Sequence, residues 1–102
     1  MAIQALVLRK EDNVATAVAE LQAGQSVDVR VEEEVLKILV QEDIPYGHKF
    51  AVREIVCGED ILKYGEVIGR ATKLIQQGCH AHVQNIESLR GRGDLGSKGV
   101  EV

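Results

Sequence analysis

Four times in 102 residues the chain repeats one local pattern: an aliphatic residue, two further residues, a glycine, then an extended run. It reads Leu21-Gln22-Ala23-Gly24, Ile44-Pro45-Tyr46-Gly47, Ile55-Val56-Cys57-Gly58 and Ile75-Gln76-Gln77-Gly78. The third residue after each glycine is apolar: Val27, Phe50, Ile61 and Ala81. A glycine in such a place supplies the positive φ of a tight turn, which other residues adopt only with strain. The aliphatic residue three places earlier is set to anchor the turn in a core. The spacings are unequal, so this is not a solenoid repeat. The pattern predicts a compact, mostly β single domain with short strands and glycine turns.

Strands are expected over about residues 3–8, 26–31, 35–41, 48–54, 60–63, 66–71 and 80–84. Segment 14–21 fits two patterns. Val14, Ala17, Val18 and Leu21 have helical spacing with Asp12 as a cap, whereas Val14, Thr16 and Val18 alternate as in a strand. Glu32, Glu33 and Glu34 read as a solvated turn, Tyr64-Gly65 as a second turn, and Gly69 as a close backbone approach. The expected domain spans residues 1–89. Residues 90–102 form an expected glycine-rich, linker-like tail that is mobile by itself. Its Arg92-Gly93-Asp94 tripeptide is read as a chance match to an adhesion motif.

Length and composition narrow the function classes. A 102-residue chain, 45% hydrophobic, makes one core without disulfide staples. Aromatics are only 3%, too few for stacking bases, and the net charge of −4 offers no footprint for a phosphate backbone. Nucleic acid is therefore excluded as a partner. No run approaches the ~20 apolar residues of a membrane helix, and the start of the chain lacks a signal-peptide pattern. A cytoplasmic protein is expected, with Cys57 and Cys79 reduced and half-buried.

The chemistry concentrates in Gly78-Cys79-His80-Ala81-His82-Val83-Gln84-Asn85. In an extended segment His80, His82 and Gln84 share one face, and Cys79, Ala81 and Val83 share the other as a small apolar face for a core. The third histidine, His48, follows Gly47 at another of the turns. Imidazole suits metal ligation and proton transfer near neutral pH. The bland alternative is a solvated strand face, and spacing by itself favours that alternative.

Several segments taken in order resemble the N-terminal SAF domain of the altronate dehydratase family. They are Asp12-Asn13-Val14-Ala15, Ile44-Pro45-Tyr46-Gly47-His48-Lys49-Phe50-Ala51, Ile61 to Ala71, Gly78 to Asn85, and Ser88 to Leu95. Galactarate dehydratase is similar in the Gly-His-Lys and Tyr-Gly-Glu-Val-Ile-Gly segments. The resemblance implies a β-clip fold and a subunit of a metal-dependent hydro-lyase of sugar-acid catabolism, which converts D-altronate to 2-keto-3-deoxy-D-gluconate and water. It implies a separate large catalytic subunit as partner, an assembly in which this chain can also meet copies of itself, and an isolated chain without activity. The implied cofactor is a divalent metal, Fe2+ or Mn2+, which the large subunit can hold. The small subunit of sulfolactate sulfo-lyase is the competing member of the same superfamily. A non-catalytic carbohydrate-binding or assembly module is the alternative from another class. The family often carries three alternate histidines in the last strand. Here the third of those positions is Gln84, a poor ligand for a borderline metal.

Dehydration next to a carboxylate needs a base, an acid for the leaving oxygen, and positive charge for the enediolate-like state. His48, His80 and His82 are the catalytic candidates, and His80 and His82 the metal ligands. Lys49, Lys63 and Arg70 are expected to hold the substrate carboxylate. Asn85 is expected to bind substrate hydroxyls. Cys79 is expected to pack inward rather than act as a nucleophile.

Overall fold

The computed structural model describes residues 2–88. Nine strands make up the regular structure: β1 Ala5–Val7, β2 Val14–Ala17, β3 Ser26–Val31, β4 Glu34–Leu39, β5 Lys49–Ala51, β6 Asp60–Lys63, β7 Glu66–Ala71, β8 His80–Ala81 and β9 Ile86–Ser88. They form a six-stranded sheet in the order β4-β3-β1-β2-β5-β8 and a three-stranded sheet in the order β6-β7-β9. All pairs are antiparallel except β1 with β3. No helix among the described residues is long and apolar enough to cross a membrane. The expected tail at residues 90–102 lies outside the described residues.

The four glycine turns organise the chain. Gly24, Gly47, Gly58 and Gly78 have φ of 87°, 85°, 91° and 86°, the value required at the third position of a type II turn. Each turn closes on a backbone hydrogen bond: Gln25 N to Gln22 O, His48 N to Pro45 O, Glu59 N to Val56 O and Cys79 N to Gln76 O, all 3.0 Å. The anchors Leu21, Ile44, Ile55 and Ile75 are buried, as are Val27, Phe50, Ile61 and Ala81. The anchors also pair. Leu21 bridges Ile44, and Ile55 bridges Ile75. The first and second turns thus enclose the β3–β4 hairpin, and the third and fourth enclose the β6–β7 hairpin. The two halves repeat down to single bonds. Gly47 N donates to Ala17 O and Gly78 N to Ala51 O, while Ala17 N donates to His48 O and Ala51 N to Cys79 O. Each half has its own core, one around Leu21, Ile44 and Phe50, the other around Ile55, Ile61 and Ile75.

Segment 14–21 resolves as the strand β2. Asp12 caps no helix; its carboxylate accepts the amides of Tyr64 and Gly65 at 2.9 and 2.8 Å. It thereby holds the β6–β7 turn, where Tyr64 and Gly65 both have positive φ. Asn13, fully buried, sits just before β2 and bonds to β6. Its side chain donates to Asp60 O and accepts from Leu62 N, both at 2.8 Å. The expected strands 35–41, 48–54 and 80–84 are shorter in the structure, and β9 follows a turn that cuts the last of them at His82. Val83 consequently does not face the core; it is 82% exposed. Gly69 does make a close approach, since a Cβ there would lie 2.5 Å from Glu87 O. Cys57 is exposed rather than half-buried, and both cysteines are free.

The residue after a turn glycine can fold back onto the turn. Gln25 Oε1 accepts Gln22 N, and Glu59 Oε1 accepts Val56 N. Glu59 also accepts from Arg53 at 2.9 Å, and these two bonds, Arg53 first, hold its carboxyl below the usual carboxylate range. A depressed folded pKa stabilises the fold above the unfolded pKa, about 4.3 for Glu, and that contribution is lost as pH falls through the lower folded value. Glu59→Gln keeps the turn bond and loses the ion pair. For a partly exposed pair the cost is expected to be less than about 1 kcal/mol at neutral pH. Paired urea titrations at pH 7 and pH 3 check this: the gap between wild type and variant narrows at the lower pH.

Candidate functional site

The second and fourth turns, equivalent in the two halves, deliver the histidines. Gly47 is followed by His48 at the entry to β5, and Gly78 leads through Cys79 to His80 at the start of β8. β5 and β8 are antiparallel neighbours with Phe50 opposite His80 and Lys49 opposite Ala81. Continuing that register by one residue sets His48 opposite His82. Directly opposed and diagonal positions on one face are within reach of ring side chains. The rings accordingly stack, with centroids 4.2 Å apart for His48 and His82, 5.1 Å for His48 and His80, and 5.4 Å for His80 and His82. β8 is an edge of its sheet, so the cluster is half-buried at a rim.

Two side-chain hydrogen bonds tie the cluster. His48 Nδ1 lies 2.9 Å from His80 Nε2, and Gln84 Nε2 lies 3.1 Å from His80 Nδ1. Burial, then the His48 and His82 charges, push His80 below the ordinary imidazole range, with Glu42 opposing. His82 is lowered by burial and by His48 and Lys49. Glu42 accepts the His80 amide at 2.9 Å.

His82 also lines a cleft of about 320 Å³ with Lys49, Lys63, Tyr64 and Glu66 around it and Ile68, Val83, Ile86 and Ser88 as further wall. The volume suits a small ligand. Burial, then the charge of Lys63, lowers the Lys49 ammonium from the ordinary lysine range. Lys63 Nζ sits 4.9 Å from the centre of the Tyr64 ring, a cation–π distance. Two ammonium groups against the single carboxylate of Glu66 leave the cleft lining net positive, which favours an anion there.

The expected site residues divide. His48, His80 and His82 come together, and Lys49 and Lys63 join His82. Arg70 does not line the cleft; it faces Asp60 at 3.9 Å. Asn85 is buried, and its amide serves the turn after β8. It accepts from His82 N and donates to His80 O, both at 2.9 Å. Cys79 packs against the second core, and burial, then Glu42, raises its thiol pKa, which suits inward packing over nucleophilic work. Tyr64 and Glu66 in the cleft escaped sequence reasoning. The signal was available: Tyr64 belongs to the positive-φ turn that follows Lys63, and Glu66 is the first residue after that turn.

The three ring nitrogens that could bind metal, one from each histidine, lie within 4.8 Å of one another. An all-imidazole set suits iron, zinc, nickel or copper better than magnesium or calcium. The donor set therefore fits a borderline divalent ion.

A family model described as the altronate/galactarate dehydratase SAF domain matches residues 3–89. The (2R)-sulfolactate sulfo-lyase subunit alpha of Chromohalobacter salexigens is 37% identical over 93 residues, covering 88% of this chain and 99% of that subunit. The altronate dehydratase of Escherichia coli is 37% identical over 83 residues, covering 81% of this chain and 16% of that enzyme. That of Bacillus subtilis is 37% identical over 81 residues, with 79% and 16% covered. The chain spans nearly all of the first relative and about a sixth of the other two.

Proposed function

Because the chain belongs to the altronate/galactarate dehydratase SAF-domain family, we propose that it is the small subunit of a lyase that acts on a 2-hydroxy carboxylate, with a sugar acid of the altronate type as substrate. The convergence of His82, Lys49 and Lys63 on one cleft carries the reading. In such a reaction the carbon bearing the carboxylate loses a proton and the next carbon loses its leaving group. The paired ammonium groups suit the carboxylate, and charge-assisted bonds to it are the strong kind. His82, the imidazole that lines the cleft, suits action on the reacting carbons, either as a free ring that moves a proton or as a ring that holds an ion there. The rest of the catalytic machinery belongs to a separate large subunit that closes over the half-buried rim, in a cytoplasmic enzyme.

Sulfolactate is the second reading, favoured by one observation: the relative covered over 99% of its length is named a sulfo-lyase subunit. The elimination has the same form, with sulfite leaving in place of hydroxide. Mixing the chain with its cognate large subunit, and assaying 2-keto acid from altronate and sulfite from sulfolactate, tests both. The isolated chain is expected to turn over neither. Turnover by the purified chain, or none with either substrate in the assembled enzyme, overturns the proposal.

A further inference from the structure

With the Gln84 amide oriented as in the structure, the hydrogen bonds of the cluster favour one arrangement of its protons. An amide nitrogen only donates, so His80 Nδ1 accepts from Gln84 Nε2 at 3.1 Å and a neutral His80 keeps its proton on Nε2. That N–H points at His48 Nδ1, 2.9 Å away. His48 therefore accepts on Nδ1 and carries its own proton on Nε2. It is already the tautomer that presents the Nδ1 lone pair to His80. Of this bonded pair, His80 has its proton on the nitrogen facing its partner. Turning the Gln84 amide over brings its carbonyl oxygen to His80 Nδ1 and gives up the long 3.5 Å bond from Gln84 Nε2 to His80 O. The His80 proton then moves from Nε2 to Nδ1, with no net release, and the Nε2 lone pair is freed.

We propose that His48, His80 and His82 form a divalent-metal site within this chain, with Gln84 as the positioning residue that sets the His80 tautomer. The candidate ligand nitrogens lie within 4.8 Å of one another. His48 and His80 are carried by adjacent, hydrogen-bonded strands, so their spacing is set by the sheet. Three imidazoles with a position left open is the arrangement of a catalytic rather than a structural site. His82 lines the lysine cleft, so an anion bound in that cleft would lie beside the cluster. Orientation of a ligating histidine through its other ring nitrogen is the general device of such sites. When bound, the ion supplies Lewis-acid charge to a substrate oxygen. Gln84, at the position where the family often carries a third alternate histidine, orients a ligand instead, and His48 supplies the third nitrogen from the neighbouring strand.

Cobalt(II) titrated into the 102-residue chain, reduced and without a large subunit, tests this by visible absorption and calorimetry. One ion per chain is expected, with ligand-field bands and no sulfur-to-cobalt band, so that Cys57 and Cys79 are not ligands. His48→Ala, His80→Ala and His82→Ala are each expected to weaken binding at least about tenfold, with His80→Gln as the check should an alanine variant fail to fold. Gln84→Glu, a permanent acceptor for the Nδ1 proton, is expected to bind about tenfold tighter, and Gln84→Leu about tenfold weaker. No cobalt binding, binding indifferent to the histidines, or a thiolate band overturns the site. Equal affinity in Gln84→Glu, Gln84→Leu and wild type overturns the role of Gln84. Substrate turnover plays no part in these readouts, so the lyase reading stands or falls separately.

Discussion

Gly78→Ala is expected to destabilise the domain by roughly 2–5 kcal/mol, against roughly 1–2 kcal/mol for Gly24→Ala or Gly47→Ala. The three glycines have nearly the same φ, 86°, 87° and 85°, so the left-handed backbone costs an added Cβ about the same in each. Their surroundings differ. A Cβ at Gly24 or Gly47 meets nothing within 4 Å, whereas at Gly78 it would lie 2.1 Å from Leu39 O. That oxygen belongs to backbone in β4 and has no rotamer to escape into. The same contact is stitched by Gln41 N donating to Gly78 O at 2.8 Å, so yielding there also strains a hydrogen bond. Urea midpoints of the three variants measure the difference. Equal losses would show that the conformational term dominates and the β4 contact relaxes freely.

His82→Ala in the assembled enzyme is expected to lower turnover by about 10²- to 10⁴-fold, the size of effect for a lost proton-transfer group and of the order expected for a lost ligand to a charge-stabilising ion. The thermal midpoint of the chain should hardly move, because the ring sits half-buried at a sheet edge, where burial, then the charges of His48 and Lys49, disfavours its charged form. Lys49→Met separates binding from chemistry. Methionine keeps much of the apolar stem and removes an ammonium that burial and Lys63 already disfavour. Its fold is expected to be as stable as wild type or slightly more so. Substrate affinity should fall instead, by about 10- to 100-fold for one lost charge-assisted bond of roughly 1.5–3 kcal/mol, seen mainly in KM. Full activity in both variants would leave the rim a solvated strand face.

The glycine turns were legible in the sequence because two requirements coincide there. Positive φ selects glycine, and the bridge partner three residues earlier must be buried and aliphatic. Asp12 and Asn13 were not legible as to role. Their partners, Tyr64, Gly65, Asp60 and Leu62, lie 47 to 53 residues away, and no local pattern carries that information. Alternation put His80 and Ala81 on opposite faces correctly, then failed at Val83 because the chain turns after two strand residues. His48 could be nominated beside a turn, but its contact with His80 and His82 depends on the β5–β8 register. Asn85 illustrates a general ambiguity: a polar side chain among histidines reads as substrate-binding until its backbone partners are seen.

The hand-off between the halves has a consequence for how the protein comes to exist. Ala17 waits for Gly47, and Ala51 waits for Gly78, so each strand is completed only by chain made some thirty residues later. Such non-local closure makes folding slow relative to a helical domain of this size. It also sets an order during synthesis. The first core can close once β5 has emerged, and the histidine rim is then still a single imidazole. His80 and His82 can dock only once the turn ending at Asn85 has emerged, with β9 alone still to follow among the described strands. The nascent chain therefore carries no site until nearly all of its described fold is in place, and a metal or a partner subunit meets either a finished rim or none.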